Sequence, residues 1–170
     1  MISESARMTT RAEARYRIEA PNSQPRAVKV IALDAASELV VKRLAQLRWN
    51  RANFLTASAF AGTPARGGPF SVPGWLSDLA GRTKDLIDEI ASADLVVMIA
   101  TAGENAQAGS LIGEACMARR VMTTGLVLGT AAASDEALSK TLGQLRPYSV
   151  MLVAGGDEEY IENMLVALRA

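Results

Sequence analysis

Apolar positions along this chain change period at regular intervals, and the clearest change falls in the stretch from Asp94 to Arg120. Leu95 to Ala100 is a solid apolar run, which predicts a strand covered on both faces. A polar loop with glycines at Gly103 and Gly109 follows. Beyond it Ala108, Leu111, Ile112 and Ala115 recur at helical spacing. Strand, polar turn and helix in that order is half of a βαβ unit, and the turn of such a unit lines the ligand crevice.

The same alternation runs through most of the chain. Ala27 to Leu33 predicts a buried strand, and Ser37 is expected to cap a helix running to Trp49. Val40, Leu44 and Leu47 would form that helix's buried stripe, while Lys42, Arg43 and Arg48 face water. Asn53 to Ala57 reads as a weaker strand. From Ser58 to Gly74 glycines and prolines predict a long loop, in which the GGP of Gly67 to Pro69 is a poor phosphate cradle because proline removes backbone donors. Helical material is expected from Trp75 and Leu76, with Leu79, Leu86, Ile87 and Ile90 facing inward up to Ala91. Val121 to Leu128 and Ser149 to Ala154 read as further buried strands. Ser134 starts a helix carrying Leu138, Leu142 and Leu145, which Pro147 stops, and a last helix carries Ile161, Met164, Leu165 and Leu168.

Alternating strands and helices imply an α/β fold: a Rossmann-like, doubly wound parallel sheet of five to six strands in three α/β/α layers. It would occupy residues 27–170 as one domain, behind a polar N-terminal arm over residues 1–26. That arm carries Arg7, Arg11, Arg15, Arg17 and Arg26, but Glu4, Glu13 and Glu19 interrupt the series, which favours a solvated arm over a nucleic-acid contact.

Composition narrows the chemistry. Lys plus Arg and Asp plus Glu number 18 each, so no overall field favours nucleic acid or an anionic membrane. Histidine is absent, which removes Ser-His-Asp triads and the commonest zinc sites. The single cysteine, Cys116, forms no disulfide within the chain and lies beside an apolar helical stripe, where a core role is expected. No apolar run approaches the roughly 20 residues that span a bilayer, and a cytoplasmic protein is expected.

Residues 85–128 resemble the corresponding part of the FtsZ/tubulin GTPase family. An acid-rich helix DLIDEI (Asp85 to Ile90) precedes ADLV (Ala93 to Val96) and TAG (Thr101 to Gly103). A small-residue helix with IGEA (Ile112 to Ala115) and the strand TTGLVL (Thr123 to Leu128) follow. VKVIAL (Val28 to Leu33) and LRPYSVMLVAGGDE (Leu145 to Glu158) extend the likeness to the family's first strand and to the approach to its sixth. The resemblance implies strand order 3-2-1-4-5-6, with the third strand short or missing near Phe70 to Val72. It also implies assembly through this domain. The family's glycine-rich phosphate loop is not kept: Glu104, Asn105, Ala106, Gln107, Ala108, Gly109 and Ser110 follow Gly103, and Glu104 sets a negative charge where a phosphate would lie. The chain also ends before the family's acidic catalytic loop.

The expectation is therefore a non-catalytic FtsZ-like domain that self-associates, most simply as a twofold dimer, or binds a partner. Phe60, Phe70 and Val72 in the long loop are candidates for the covered surface. No cofactor, metal, nucleic-acid or membrane partner is expected. The alternative is a binder or enzyme for a nucleotide or other small polar ligand at the strand-end crevice. Its residues would be Asp34, Ser37, Thr101, Gly103, Glu104, Asn105, Gln107, Gly109 and Ser110. Asp34 and Glu104 could pair across the crevice around a cation, although both suit ordinary helix N-termini. Asn105 is equally a ligand reader and a cap. Glu114 is expected to be exposed, and Asp157 to Glu159 to serve as helix-starting acids.

Overall fold

The structure is a computed structural model and describes residues 25–60 and 76–170. Its core is one seven-stranded sheet. The strands are β1 (Val28–Ala32), β2 (Ala52–Thr56), β3 (Leu76–Asp78), β4 (Thr83–Lys84), β5 (Leu95–Thr101), β6 (Met122–Leu128) and β7 (Met151–Ala154). They lie in the order β4-β3-β2-β1-β5-β6-β7. Five of them, β2-β1-β5-β6-β7, are parallel, as the two-face apolar runs require. The helices are α1 (Ala35–Leu44), α2 (Leu86–Ala91), α3 (Ala108–Arg119), α4 (Asp135–Leu145) and α5 (Glu158–Ala167). The whole is a Rossmann-like α/β/α sandwich.

The two sheet faces have separate cores. α2, α3 and α4 cover Ile31, Leu55, Val96, Met98 and Val127 with Leu86, Ile90, Ile112, Cys116 and Leu145. α1 and α5 cover Val30, Val97, Ile99 and Leu126 with Val41, Leu44, Ile161 and Leu165. β5 sits at the centre of the five parallel strands, and every residue from Leu95 to Ala100 is at most 4% exposed. Each such Val, Leu or Ile contributes about 1.5–3 kcal/mol by leaving water. Small residues let α3 approach closely. A Cβ on Gly109 would lie 2.8 Å from Leu145 Cδ2, and one on Gly113 would lie 2.3 Å from Tyr148 Cβ.

Several expectations are corrected. The sheet exceeds five to six strands because β3 and β4 form an antiparallel hairpin on β2, with Leu55 opposite Asp78 and Leu76 opposite Lys84. Helix was expected from Leu76; instead Asp78 collects the Ala80 and Arg82 amides on its Oδ1, a turn that closes a hairpin. A third strand near Phe70 to Val72 falls outside the described residues, as do residues 1–24 of the arm and two of the apolar groups offered for self-association, Phe70 and Val72. The first helix is capped by Asp34, with Ser37 at the third helical position of the capping box. It ends at Leu44, so Leu47 is 44% exposed, and Val41 takes the buried place beside Leu44.

Candidate functional site

The carboxyl ends of β1 and β5 lie side by side, Ala32 opposite Ile99, with the 101–107 loop above them. This is the crevice at which parallel α/β sheets bind ligands. Asp34 sits at its floor, 4% exposed. Its Oδ1 accepts from Ser37 N–H at 2.8 Å and from Thr101 Oγ1 at 3.0 Å, and its Oδ2 accepts from Thr101 N–H at 2.8 Å. Ser37 returns the bond: its Oγ accepts from Asp34 N–H at 3.2 Å and donates to the Asp34 carbonyl at 3.0 Å. One carboxylate thus caps α1 and fastens the end of β1 to that of β5. Both of its oxygens are engaged within the protein, so it is no free half of a carboxylate pair with Glu104.

The loop beyond Thr101 is held from above by α4. Gly103, at φ +90°, donates its N–H to Thr141 Oγ1 at 3.1 Å. Gln144 Oε1 accepts from Ala106 N–H at 2.9 Å, and Asn105 Oδ1 accepts from Gln107 N–H at 2.9 Å. Amides that would cradle an anion in a phosphate loop are therefore taken by side chains of this chain. Asn105 forms a turn ahead of α3 and does not cap it: the cap position is Gln107, which makes no side-chain capping bond. Ser110 Oγ donates to the Gln107 carbonyl at 2.8 Å, and Gly109 is buried against Leu145 and Leu33. Among the nine expected site residues, the structure joins Asp34, Ser37 and Thr101. Glu104 and Gln107 are exposed at the rim, and Glu114 is exposed on α3.

A polar group that sequence reasoning missed lies beside this crevice, at the end of β2. Glu38 on α1 accepts from Thr56 Oγ1 at 2.9 Å and from Ser58 Oγ, and pairs with Lys42 at 2.6 Å. Burial pushes the Glu38 carboxyl up, but the bonds from Lys42, Ser58 and Thr56 together outweigh it and hold the pKa below the ordinary glutamate value. An acid held ionised this way fastens the turn after β2 and makes a poor general base. The available signal was Glu38 and Lys42 at i, i+4 beside a Thr-x-Ser strand end. Cys116 is fully buried, and burial pushes its thiol up to about 12, so it is no nucleophile at neutral pH. Among the described residues no group of three or more acids or cysteines is placed to hold a metal ion, and no helix is long and apolar enough to cross a membrane.

No protein-family model matches this sequence, and comparison with curated proteins finds no match.

Proposed function

We propose that this chain is a non-catalytic, FtsZ-like α/β module that acts by associating with a second copy of itself. The observation that carries this reading is the outer edge of β7. No strand pairs with that edge among the described residues. The run Val150 to Ala154 is uncharged, with Val150 78% and Met151 46% exposed. Charges, prolines and bulges protect many free edges, and this four-residue strand carries none of them.

The ladder suggests how two copies would meet. Val150 N–H donates to the Thr123 carbonyl on β6 at 3.0 Å. Residues of a parallel strand alternate in direction, so Met151 and Val153 aim their N–H and C=O groups outward. An antiparallel pair about a twofold axis at Leu152 sets Met151 of one copy opposite Val153 of the other and satisfies these groups reciprocally. The FtsZ resemblance supports the same reading, since that family assembles through this domain. The alternative, a small polar ligand at the strand-end crevice, retains the exposed Glu104 and Gln107, but the internal engagement of Asp34 and of the loop amides weighs against it.

Light scattering on the full chain tests the proposal. A dimeric mass is expected at micromolar concentration, falling to monomeric in Val153→Pro, which removes one outward N–H and no bond to β6. Met151→Lys is a second variant with an unbroken backbone. Circular dichroism should match the parent in both. A monomeric parent, or a dimer that survives both changes, defeats the proposal.

A further inference from the structure

The opposite side of the sheet carries a feature that neither the crevice nor the β7 edge explains. β3 pairs only with Leu55 and Thr56 of β2, so Ala52 to Phe54 have no strand partner on their outer side among the described residues. Between this bare segment and the β3–β4 turn lies an open groove of about 440 Å³, within the size range of small-ligand sites. Phe54, Leu79 and Ala45 supply apolar surface, and Asn53, Lys84 and Glu89 supply polar surface.

The polar wall is fixed from behind by a buried cation. Lys29 on β1 is 4% exposed, the one charged residue in an otherwise apolar strand. Its Nζ donates to Glu89 Oε2 at 2.7 Å. With the Asn53 amide oriented to satisfy both its ends, Nζ also donates to the Asn53 oxygen at 2.7 Å, while the amide nitrogen donates to the Ala52 carbonyl at 3.2 Å. Glu89 is thereby neutralised. Asp78 is neutralised likewise by Arg82 at 2.6 Å. Lys84 has no carboxylate partner among the described residues. The groove therefore joins an apolar floor to one uncompensated ammonium, held beside acids that are already paired.

We infer that this groove binds a small organic anion with an apolar body, its acidic head on Lys84 and its body against Phe54 and Leu79. A peptide strand added to β2 is the less suitable occupant. Strand pairing would use only the bare edge from Ala52 to Phe54 and would leave the Lys84 ammonium and the groove beside it unused. The head can be a carboxylate or a phosphate, since an ammonium is a point charge that suits both. The site lies across the sheet from β7, so it stands or falls independently of self-association.

The test is titration of the full-length protein with phenylacetate and phenyl phosphate, with phenylacetamide as the neutral isostere, followed by ¹H–¹⁵N NMR. Saturable shifts confined to Ala52–Leu55 and Leu79–Lys84 are expected from at least one anion and not from the amide. The stronger of the two anions identifies the head. Lys84→Met should weaken binding at least tenfold, whereas Lys140→Met on α4 removes the same charge and should leave it unchanged. Phe54→Ala should weaken binding separately if the parent's NMR spectrum is otherwise kept. The inference is overturned if neither anion gives saturable shifts at this groove, if phenylacetamide binds equally, or if Lys84→Met binds like the parent.

Discussion

Replacing Asp34 with alanine should damage stability well beyond what the loss of one charge at a helix end would cause. The change removes the cap of α1, where the carboxylate accepts from Ser37 N–H at 2.8 Å. Loss of an N-cap costs about 1 kcal/mol. It also strands the Thr101 N–H, which donates to Oδ2 at 2.8 Å. A buried donor left without an acceptor costs about 1–3 kcal/mol. The position is only 4% exposed, so water replaces these bonds poorly. Together the loss is roughly 2–4 kcal/mol, a large part of the stability of a domain this size. Urea unfolding at fixed protein concentration measures it, with fluorescence of Trp49, whose indole donates to the Leu44 carbonyl at 2.8 Å, as one probe. With a slope of about 2 kcal/mol/M the midpoint should fall by roughly 1–2 M. Asp34→Asn should fall between, since one oxygen can still cap α1 while an NH₂ faces Thr101 N–H. A loss below about 0.5 kcal/mol for the alanine variant would refute the idea that this carboxylate joins β1, α1 and β5.

Packing and charge set three further outcomes. A Cβ added at Gly143 on α4 would meet open space, so Gly143→Ala should stabilise by about 0.5–1 kcal/mol through helix propensity, whereas Gly113→Ala, aimed 2.3 Å from Tyr148 Cβ, should destabilise by about 1–3 kcal/mol; urea melts that rank them the other way contradict the contact. Glu38 has a folded pKa below its unfolded one, so its contribution is present above the usual glutamate range and is lost as pH falls through the folded value; Glu38→Gln should flatten the acid limb of stability as pH falls through and below the usual glutamate range, and an unchanged limb would count against the Thr56, Ser58 and Lys42 bonds. Cys116, buried with its thiol at about 12, should react with iodoacetamide only as fast as the protein opens, and rapid labelling of the native state would contradict its place in the core.

The parallel strands were legible in sequence because burial on both faces leaves solid apolar runs such as Leu95–Ala100, which few other environments tolerate. The helices after them were legible from their caps: Ser134 and Asp157 accept from Ala137 N–H and Tyr160 N–H as their positions suggested. The hairpin of β3 and β4 was not, because its strands have three and two residues and show no alternation. Leu76 and Leu79 instead imitate the helical spacing that continues into α2. The choice of cap in α1 was ambiguous for a different reason. Both Asp34 and Ser37 can cap; in the structure Asp34 takes the cap and Ser37 completes the box, while Thr101, far along the chain, holds the second Asp34 oxygen. Location of the crevice needed only the strand-to-helix turn. Its internal engagement depends on Thr141 and Gln144, far along the chain on α4, and no local pattern announces such partners. Lys29 was visible as the lone charge within AVKVIAL, but its partner Glu89 lies 60 residues away.

The Asp34–Thr101 fastening also bears on how the chain reaches its native state. It joins residues 67 positions apart, with β2, the hairpin and two helices in the excursion between them. β5 and β6 are linked through α3 alone and make a seven-residue parallel register. The entropy of closing a loop grows with its length, so β5–α3–β6 is the cheaper unit to assemble first, and β1 docks onto a β5 that is already in place. Leu126→Ala in β6 should therefore slow refolding, while Leu55→Ala in β2 should act chiefly by speeding unfolding; the reverse pattern would place the nucleus in the other half of the sheet. On this route the carboxylate of Asp34 works as a late latch, closing over a half-sheet that has formed without it.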